Sequence, residues 1–296
     1  MRGKSHTQGE ILTDVRPDHE VSFASGSDNG KTRTPAAGPD AGPDAAAGAV
    51  PPVASALAGT APPMDLGSPV NIDGGRLRVV PAATSPSTAS AVAAPSAVAG
   101  PAAAGATVVL LHGAGSGTDT PVLTALADRL TAAGVRVAAL EMPYRVAGRR
   151  APDRPARLDA VLTAAVDALG RPEHLGLAGA SMGSRVAVRC ARAVGARAVL
   201  ALGFPLQPPG DRPSRADELA GAGVPVLVVQ GERDAFGTPP ADPARQIAVH
   251  IVTGADHSFR VRVRDARTVG EVTDEAAGTG ASWLLGRLLD GAAAGG

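Results

Sequence analysis

The chain has 296 residues, and its 28 lysines and arginines balance 28 aspartates and glutamates, so no net field draws it toward nucleic acid or anionic lipid. Its one cysteine, Cys190, excludes an internal disulfide and any cysteine-based metal cluster, and suits a reducing compartment. No apolar run reaches the roughly 20 residues that cross a bilayer, and the start lacks a basic-then-apolar signal pattern, so a cytoplasmic address without membrane partners is expected.

Residues 1–67 are polar, then rich in Ala, Gly and Pro, with a repeat of Ala-Gly-Pro-Asp at 37–40 and 41–44. A stretch without apolar period cannot bury enough surface to offset chain entropy, so a disordered low-complexity tail is expected. A translation start at Met64 is the alternative reading. The globular domain is expected over 68–292, opening with a strand-like pattern at 70–81 that folds at Asp73-Gly74-Gly75 into a hairpin. Residues 82–105 lose that pattern and read as a low-complexity insertion between hairpin and core.

From there the chain alternates. Short, almost wholly apolar runs at 107–111, 135–140, 175–178, 198–202, 226–229 and 248–252 have the character of strands buried on both faces. Leu123, Leu126, Ala127 and Leu130 recur at helical spacing, as do Leu158, Val161, Leu162, Ala165 and Leu169 before a stop at Gly170. A closing helix carries Trp283, Leu284, Leu288 and Leu289. Strand and helix in alternation predict an α/β fold, a mostly parallel sheet with helices on both faces, whose ligands sit at the carboxyl ends of the strands.

The chemistry concentrates at those strand ends. Gly-Ala-Ser-Met-Gly at 179–183 lies between the strand at 175–178 and a helix expected over 182–194. Glycines on both sides of a serine permit a strained turn that exposes the hydroxyl of Ser181 as a nucleophile. The plainer reading makes Ser181 a helix cap. Ser184 reads as an ordinary helix residue and Cys190 as core. A serine needs a base, and His112, His174, His250 and His257 are on offer beyond residue 105. His174 and His250 border or occupy strands and read as structural. His257, in the loop after 248–252, can lean over the sheet edge to take the serine proton. Asp234, after the strand at 226–229, is the expected orienting acid; Glu232 lies too close to its strand, and Asp256 is adjacent to His257.

An anionic intermediate needs donors, which the backbone N–H groups of Ala114 and Met182 would supply as an oxyanion hole. The glycine-rich turn at 113–117, with Glu141 ending the next strand, also resembles a dinucleotide-binding unit, although the spacing is G-x-G-x-G. Tyr144, Phe204, Phe236 and Phe259 all lie just past a strand end and would wall a pocket, or cover the top edge of the sheet. Arg145, Arg149, Arg150 and Arg154 read as solvated surface, with an anionic substrate as the alternative. The connection from Phe204 to Val224 is too short for a separate cap domain.

Several stretches, in order, carry a resemblance: Leu-Leu-His-Gly-Ala-Gly at 110–115, Glu-Met-Pro-Tyr at 141–144, Arg-Ala-Pro-Asp at 150–153 and Gly-Ala-Ser-Met-Gly at 179–183. Gly-Phe-Pro-Leu-Gln-Pro-Pro-Gly at 203–210, Gly-Glu-Arg-Asp-Ala-Phe-Gly at 231–237 and Asp-His-Ser-Phe at 256–259 continue it. Together they resemble the α/β-hydrolases related to testis-expressed protein 30 and to dienelactone-hydrolase-like proteins. The resemblance implies the α/β-hydrolase fold and triad roles for Ser181, Asp234 and His257, in the chain order Ser, Asp, His. Ser181 departs from the cysteine nucleophile of true dienelactone hydrolases. The expected activity is hydrolysis of a small ester or thioester with no metal and no cofactor. A non-catalytic interaction module on the same fold is the alternative from another class.

Overall fold

The computed structural model describes residues 68–80 and 105–289. The expected tail at 1–67, the alternative start at Met64, the insertion at 82–105 apart from Gly105, and the last residues of the expected domain, 290–292, lie outside the described residues.

Among the described residues eight strands form one sheet. They are β1 (Val70–Ile72), β2 (Gly75–Val80), β3 (Ala106–Leu111), β4 (Arg136–Glu141), β5 (His174–Ala180), β6 (Ala198–Leu202), β7 (Val226–Gly231) and β8 (Ile247–Val252), ordered β1-β2-β4-β3-β5-β6-β7-β8. Pairing is antiparallel from β1 to β4 and parallel from β4 to β8. The leading hairpin turns through Asp73 (φ 48°) and Gly74 (φ 77°), the two positive values that match the twist of the flanking strands.

Among the described residues six α-helices flank the sheet: α1 (Pro121–Ala132), α2 (Pro143–Val146), α3 (Pro155–Ala168), α4 (Met182–Cys190), α5 (Ala216–Ala220) and α6 (Val269–Leu289). Side chains of a strand alternate between faces, so the continuous apolar runs feed two cores. Val109 and Leu111 of β3 pack with Leu158 and Leu162 of α3 and Val186 of α4. Val108 and Leu110 pack with Leu123 and Leu126 of α1 and Ala277 and Leu284 of α6. Each fully buried leucine or valine contributes about 1.5–3 kcal/mol, which is why the runs tolerate no charge.

The helix after β3 therefore covers one face and the helix after β5, its neighbour, covers the other. Their connecting loops diverge above the strand ends and leave a crevice between them, the switch point at which open α/β sheets bind ligands. Helices α2 and α5, of four and five residues, were not legible as periodic patterns because they complete barely one turn. Helix α4 ends at Cys190, short of the expected 194, and the chain continues in turns to Gly195. The connection between β6 and β7 holds only the short α5, so no cap domain is inserted there. No helix among the described residues is long and apolar enough to cross a membrane.

Candidate active site

Strand β5 runs into Ser181 at φ 51° and ψ −110°, a region that residues with a side chain rarely occupy. The turn closes this tightly because its flanks lack side chains. A Cβ on Gly179 would collide with the backbone of Gly183 and Ser184, and one on Gly183 with the carbonyl of Leu111 at the end of β3. The Ser181 N–H donates to the carbonyl of Leu202 at 2.9 Å, which ties the turn to β6.

The Ser181 hydroxyl caps nothing in α4. Its Oγ lies 2.8 Å from His257 Nε2, and His257 Nδ1 lies 2.7 Å from Asp234 Oδ2. Because a carboxylate accepts, the imidazole proton belongs on Nδ1, leaving Nε2 to accept from the serine hydroxyl. The Asp234 side chain is 0% exposed and that of His257 22%, so the imidazole borders a crevice while the carboxylate is sealed beneath. Oδ1 of Asp234 accepts the Phe236 N–H at 2.9 Å, and the Phe236 ring lies 4.5 Å from the imidazole, tilted by 58°. Glu232 accepts the Gly254 N–H, and Asp256 accepts those of Ser258 and Arg260, so both neighbouring acids are spent on loop geometry.

Sequence reasoning missed Gln230, the penultimate residue of β7. It is fully buried, and its Nε2 lies 2.7 Å from Asp234 Oδ2, 2.8 Å from the Gly237 carbonyl and 3.2 Å from the Phe204 carbonyl. Three oxygens around one amide nitrogen make it a donor that aims Asp234 at the imidazole. A polar residue in an otherwise apolar strand was the only available signal. Gln230→Met keeps the length and removes a charge-assisted bond of about 1.5–3 kcal/mol, or roughly 10- to 100-fold in rate. The expected result, read from steady-state kinetics on an aryl ester, is a fall in kcat with little change in KM.

The loop after β3 faces the serine from the other side. Among the described residues neither the Ala114 nor the Met182 N–H is taken up by a hydrogen bond within the protein, and Ala114 and Ser181 line the same cavity. Two buried side chains brace this loop. His112 Nε2 accepts the Met142 N–H at 3.0 Å, which places the ring proton on Nδ1, 2.7 Å from the Gly113 carbonyl. The Tyr144 hydroxyl donates toward the carbonyls of Gly113 (3.3 Å) and Ala114 (3.0 Å), and burial pushes its pKa up to about 12.

Burial also lowers the pKa of His112 below its ordinary 6.5. The unfolded chain therefore gains a proton at this residue that the folded chain refuses. Stability present above pH 6.5 is lost as pH falls from there through the lowered folded-state value. Urea unfolding between about pH 7.5 and 5 should show this decline, and His112→Gln should have a shallower slope despite starting less stable.

The expected aromatic pocket needs correction. Tyr144 and Phe204 are fully buried and line neither cavity described below: the first is drawn in by its bonds to the β3 loop, the second packs into the core beside α4. Phe236 and Phe259 do line the cavity beside Ser181. His174 Nδ1 faces the Leu288 carbonyl and His250 Nε2 faces Glu275, both away from the serine. Glu141, the acid of the dinucleotide alternative, sits 3.5 Å from Arg76 Nη1 of β2. Cys190 is buried, and that burial pushes its thiol to about 12, so it stays protonated.

Among the described residues two cavities border Ser181. The first, about 440 Å³, is lined by the 113–116 loop, Val122, Leu202, Phe236, His257 and Phe259; the second, about 320 Å³, by Ala114, Met182, Arg185, Arg189, Arg215 and Phe236 among others. Ser181, Ala114 and Phe236 border both.

Residues 104–284 match the family model described as an alpha/beta hydrolase domain, which covers more than half of the chain. Among solved structures, Est1E from Butyrivibrio proteoclasticus with ferulic acid bound superposes with a TM-score of 0.51 at 13% identity, over 75% of this chain and 99% of that one. An α/β serine hydrolase without a lid from Xanthomonas campestris gives 0.49 at 18% identity, over 73% and 94%. Dienelactone hydrolase from Anabaena variabilis gives 0.48 at 18%, over 71% and 94%. No curated protein matches the chain significantly. The match over residues 104–284, from β3 into α6, places this chain in the α/β hydrolase domain family.

Proposed function

We propose that the protein is a serine hydrolase that cleaves a small ester or thioester through an acyl-enzyme on Ser181. The observation that carries this reading is the unbroken chain Ser181 Oγ, His257 Nε2, His257 Nδ1, Asp234 Oδ2, with steps of 2.8 and 2.7 Å, set on a strained turn. In this reading His257 Nε2 takes the hydroxyl proton as Ser181 Oγ bonds the carbonyl carbon, and the resulting oxyanion is held by the Ala114 and Met182 N–H groups. Asp234 stabilises the imidazolium. That proton passes to the departing oxygen or sulfur as its bond to carbon breaks. Water then gives a proton to His257 as it attacks the acyl carbon, and the proton returns to Ser181 Oγ as the acid leaves.

The ordered motifs at 110–115, 141–144 and 179–259 support a relation to testis-expressed protein 30 and the dienelactone-hydrolase-like group within the family. The globular unit in this proposal spans 68–292, and its substrate is a small molecule that enters an uncapped crevice. A fluorophosphonate probe tests the chemistry, since it needs an activated serine. Labelling of the wild type that is absent in Ser181→Ala supports it; folded protein that takes no label overturns it.

A further inference from the structure

The two cavities beside Ser181 differ in chemistry. The first is lined by Val122, Leu202, Phe236 and Phe259 together with the hydroxyl-bearing Ser116, Thr120, Ser258 and Thr273, and by one formally charged residue, Arg260, which is exposed. The second presents three guanidinium groups, from Arg185, Arg189 and Arg215, and one carboxylate, Asp153, whose Oδ1 is held by Arg149 at 2.6 Å and whose Oδ2 is buried with no hydrogen-bond partner among the described residues. Arg185 and Arg189 follow Ser181 by one and two turns of α4, so they line its flank about 6 and 12 Å along the axis.

Acids behind the cavity neutralise two of the three cations. Glu218 accepts both Arg185 Nε (2.8 Å) and Nη2 (2.7 Å), and Asp159 accepts Arg189 Nε (2.9 Å) and Nη2 (2.6 Å). Arg215 is different. Among the described residues no carboxylate lies within 4.0 Å of it, and its side chain makes one hydrogen bond, from Nη1 to the Pro205 carbonyl at 2.6 Å. Burial, then the neighbouring Arg185, lowers its pKa against the opposing influence of Glu218, which is committed to Arg185. Its remaining donors are free for a planar anion, which guanidinium binds in a two-pronged fashion.

Which half of a substrate enters which cavity follows from the proton path. The departing atom must receive its proton from His257 Nε2, and His257 lines the first cavity and not the second. The acyl group stays on Ser181 with its oxygen at the Ala114 and Met182 amides, and Met182 lines the second and not the first. Resting on the acyl-transfer reading, we propose that the second cavity is an acyl-group subsite in which Arg215, flanked by Arg185, binds a terminal carboxylate. The substrate class is then a half-ester or half-thioester of a dicarboxylic acid with an uncharged alcohol or thiol, and the products are the diacid and that leaving group.

The test compares phenyl hydrogen adipate with two neutral counterparts, its terminal carboxamide and phenyl hexanoate, on the wild type, Arg215→Gln, Ser181→Ala and, as a remote control, Arg171→Gln. Arg171 sits on the surface after α3, paired with Asp167. The expected result is a wild-type kcat/KM about tenfold or more higher for the anionic ester, a preference kept in Arg171→Gln and reduced to within about twofold in Arg215→Gln. Equal rates for the three esters, or a preference that survives Arg215→Gln, overturn the subsite while Ser181-dependent turnover leaves the hydrolase reading standing. If no ester is turned over in a Ser181-dependent way, calorimetric titration of Ser181→Ala with adipate decides. Saturable binding weakened about tenfold by adding Arg215→Gln supports the subsite, and no binding or unweakened binding overturns it.

Discussion

Ser181→Ala is expected to lower kcat/KM on an aryl ester by on the order of 10⁴- to 10⁶-fold, and adding His257→Ala to it is expected to cost almost nothing more. The reason lies in the 2.8 Å contact between Oγ and Nε2. An imidazole with no hydroxyl to deprotonate has no work in the first step, and a hydroxyl without its base is a poor nucleophile at neutral pH. The two losses therefore describe one unit and do not multiply. His257→Ala alone should fall in the same range as Ser181→Ala. The measurement is a double-mutant cycle on kcat/KM, and multiplicative losses would show that the two side chains act independently.

Gly183→Ala is expected to destabilise the fold by about 3 kcal/mol or more, at the upper end of overpacking effects. A Cβ there would strike the carbonyl carbon and oxygen of Leu111 and the carbonyl of His112, which are backbone atoms within and just beyond β3. Backbone cannot rotate aside as a long side chain can. Relief would have to pull α4 from the sheet, which would open the turn at Ser181 and part it from the loop that carries Ala114. Gly115→Ala is the matched comparison, because a Cβ there meets nothing within 4 Å, and its stability should change by less than about 0.5 kcal/mol. Urea midpoints of the two variants decide. Similar midpoints would mean that the elbow does not depend on the close approach of β3 and α4.

The strands, the hairpin at Asp73-Gly74 and helices α1, α3 and α6 were legible because their information is local. An apolar run bounded by glycine, or leucines at helical spacing, states its own secondary structure. The positions of Ser181, Asp234 and His257 were legible for the same reason, each lying just past a run that reads as a strand. Tertiary structure decided what lies between them. That β3 pairs with both β4 and β5 brings the 113–115 loop against the serine turn, and no local pattern encodes that order. Tyr144 and Phe204 look like pocket walls in the sequence, yet long-range bonds and packing draw them into the interior.

Gln230 and Arg215 show the same division. In the sequence one is a polar interruption of a strand and the other one arginine among many. Gln230 matters because the turn after β7 folds Asp234 back onto its amide, and Arg215 because α5 comes to lie beside α4. The sequence alone determined the alternation of strand and helix, and with it a parallel sheet with loops at one edge, since burial on two faces demands that pattern. Only the tertiary structure decided which loops meet, because those contacts join residues such as Ser181 and His257, 76 positions apart, through packing that neither segment specifies by itself.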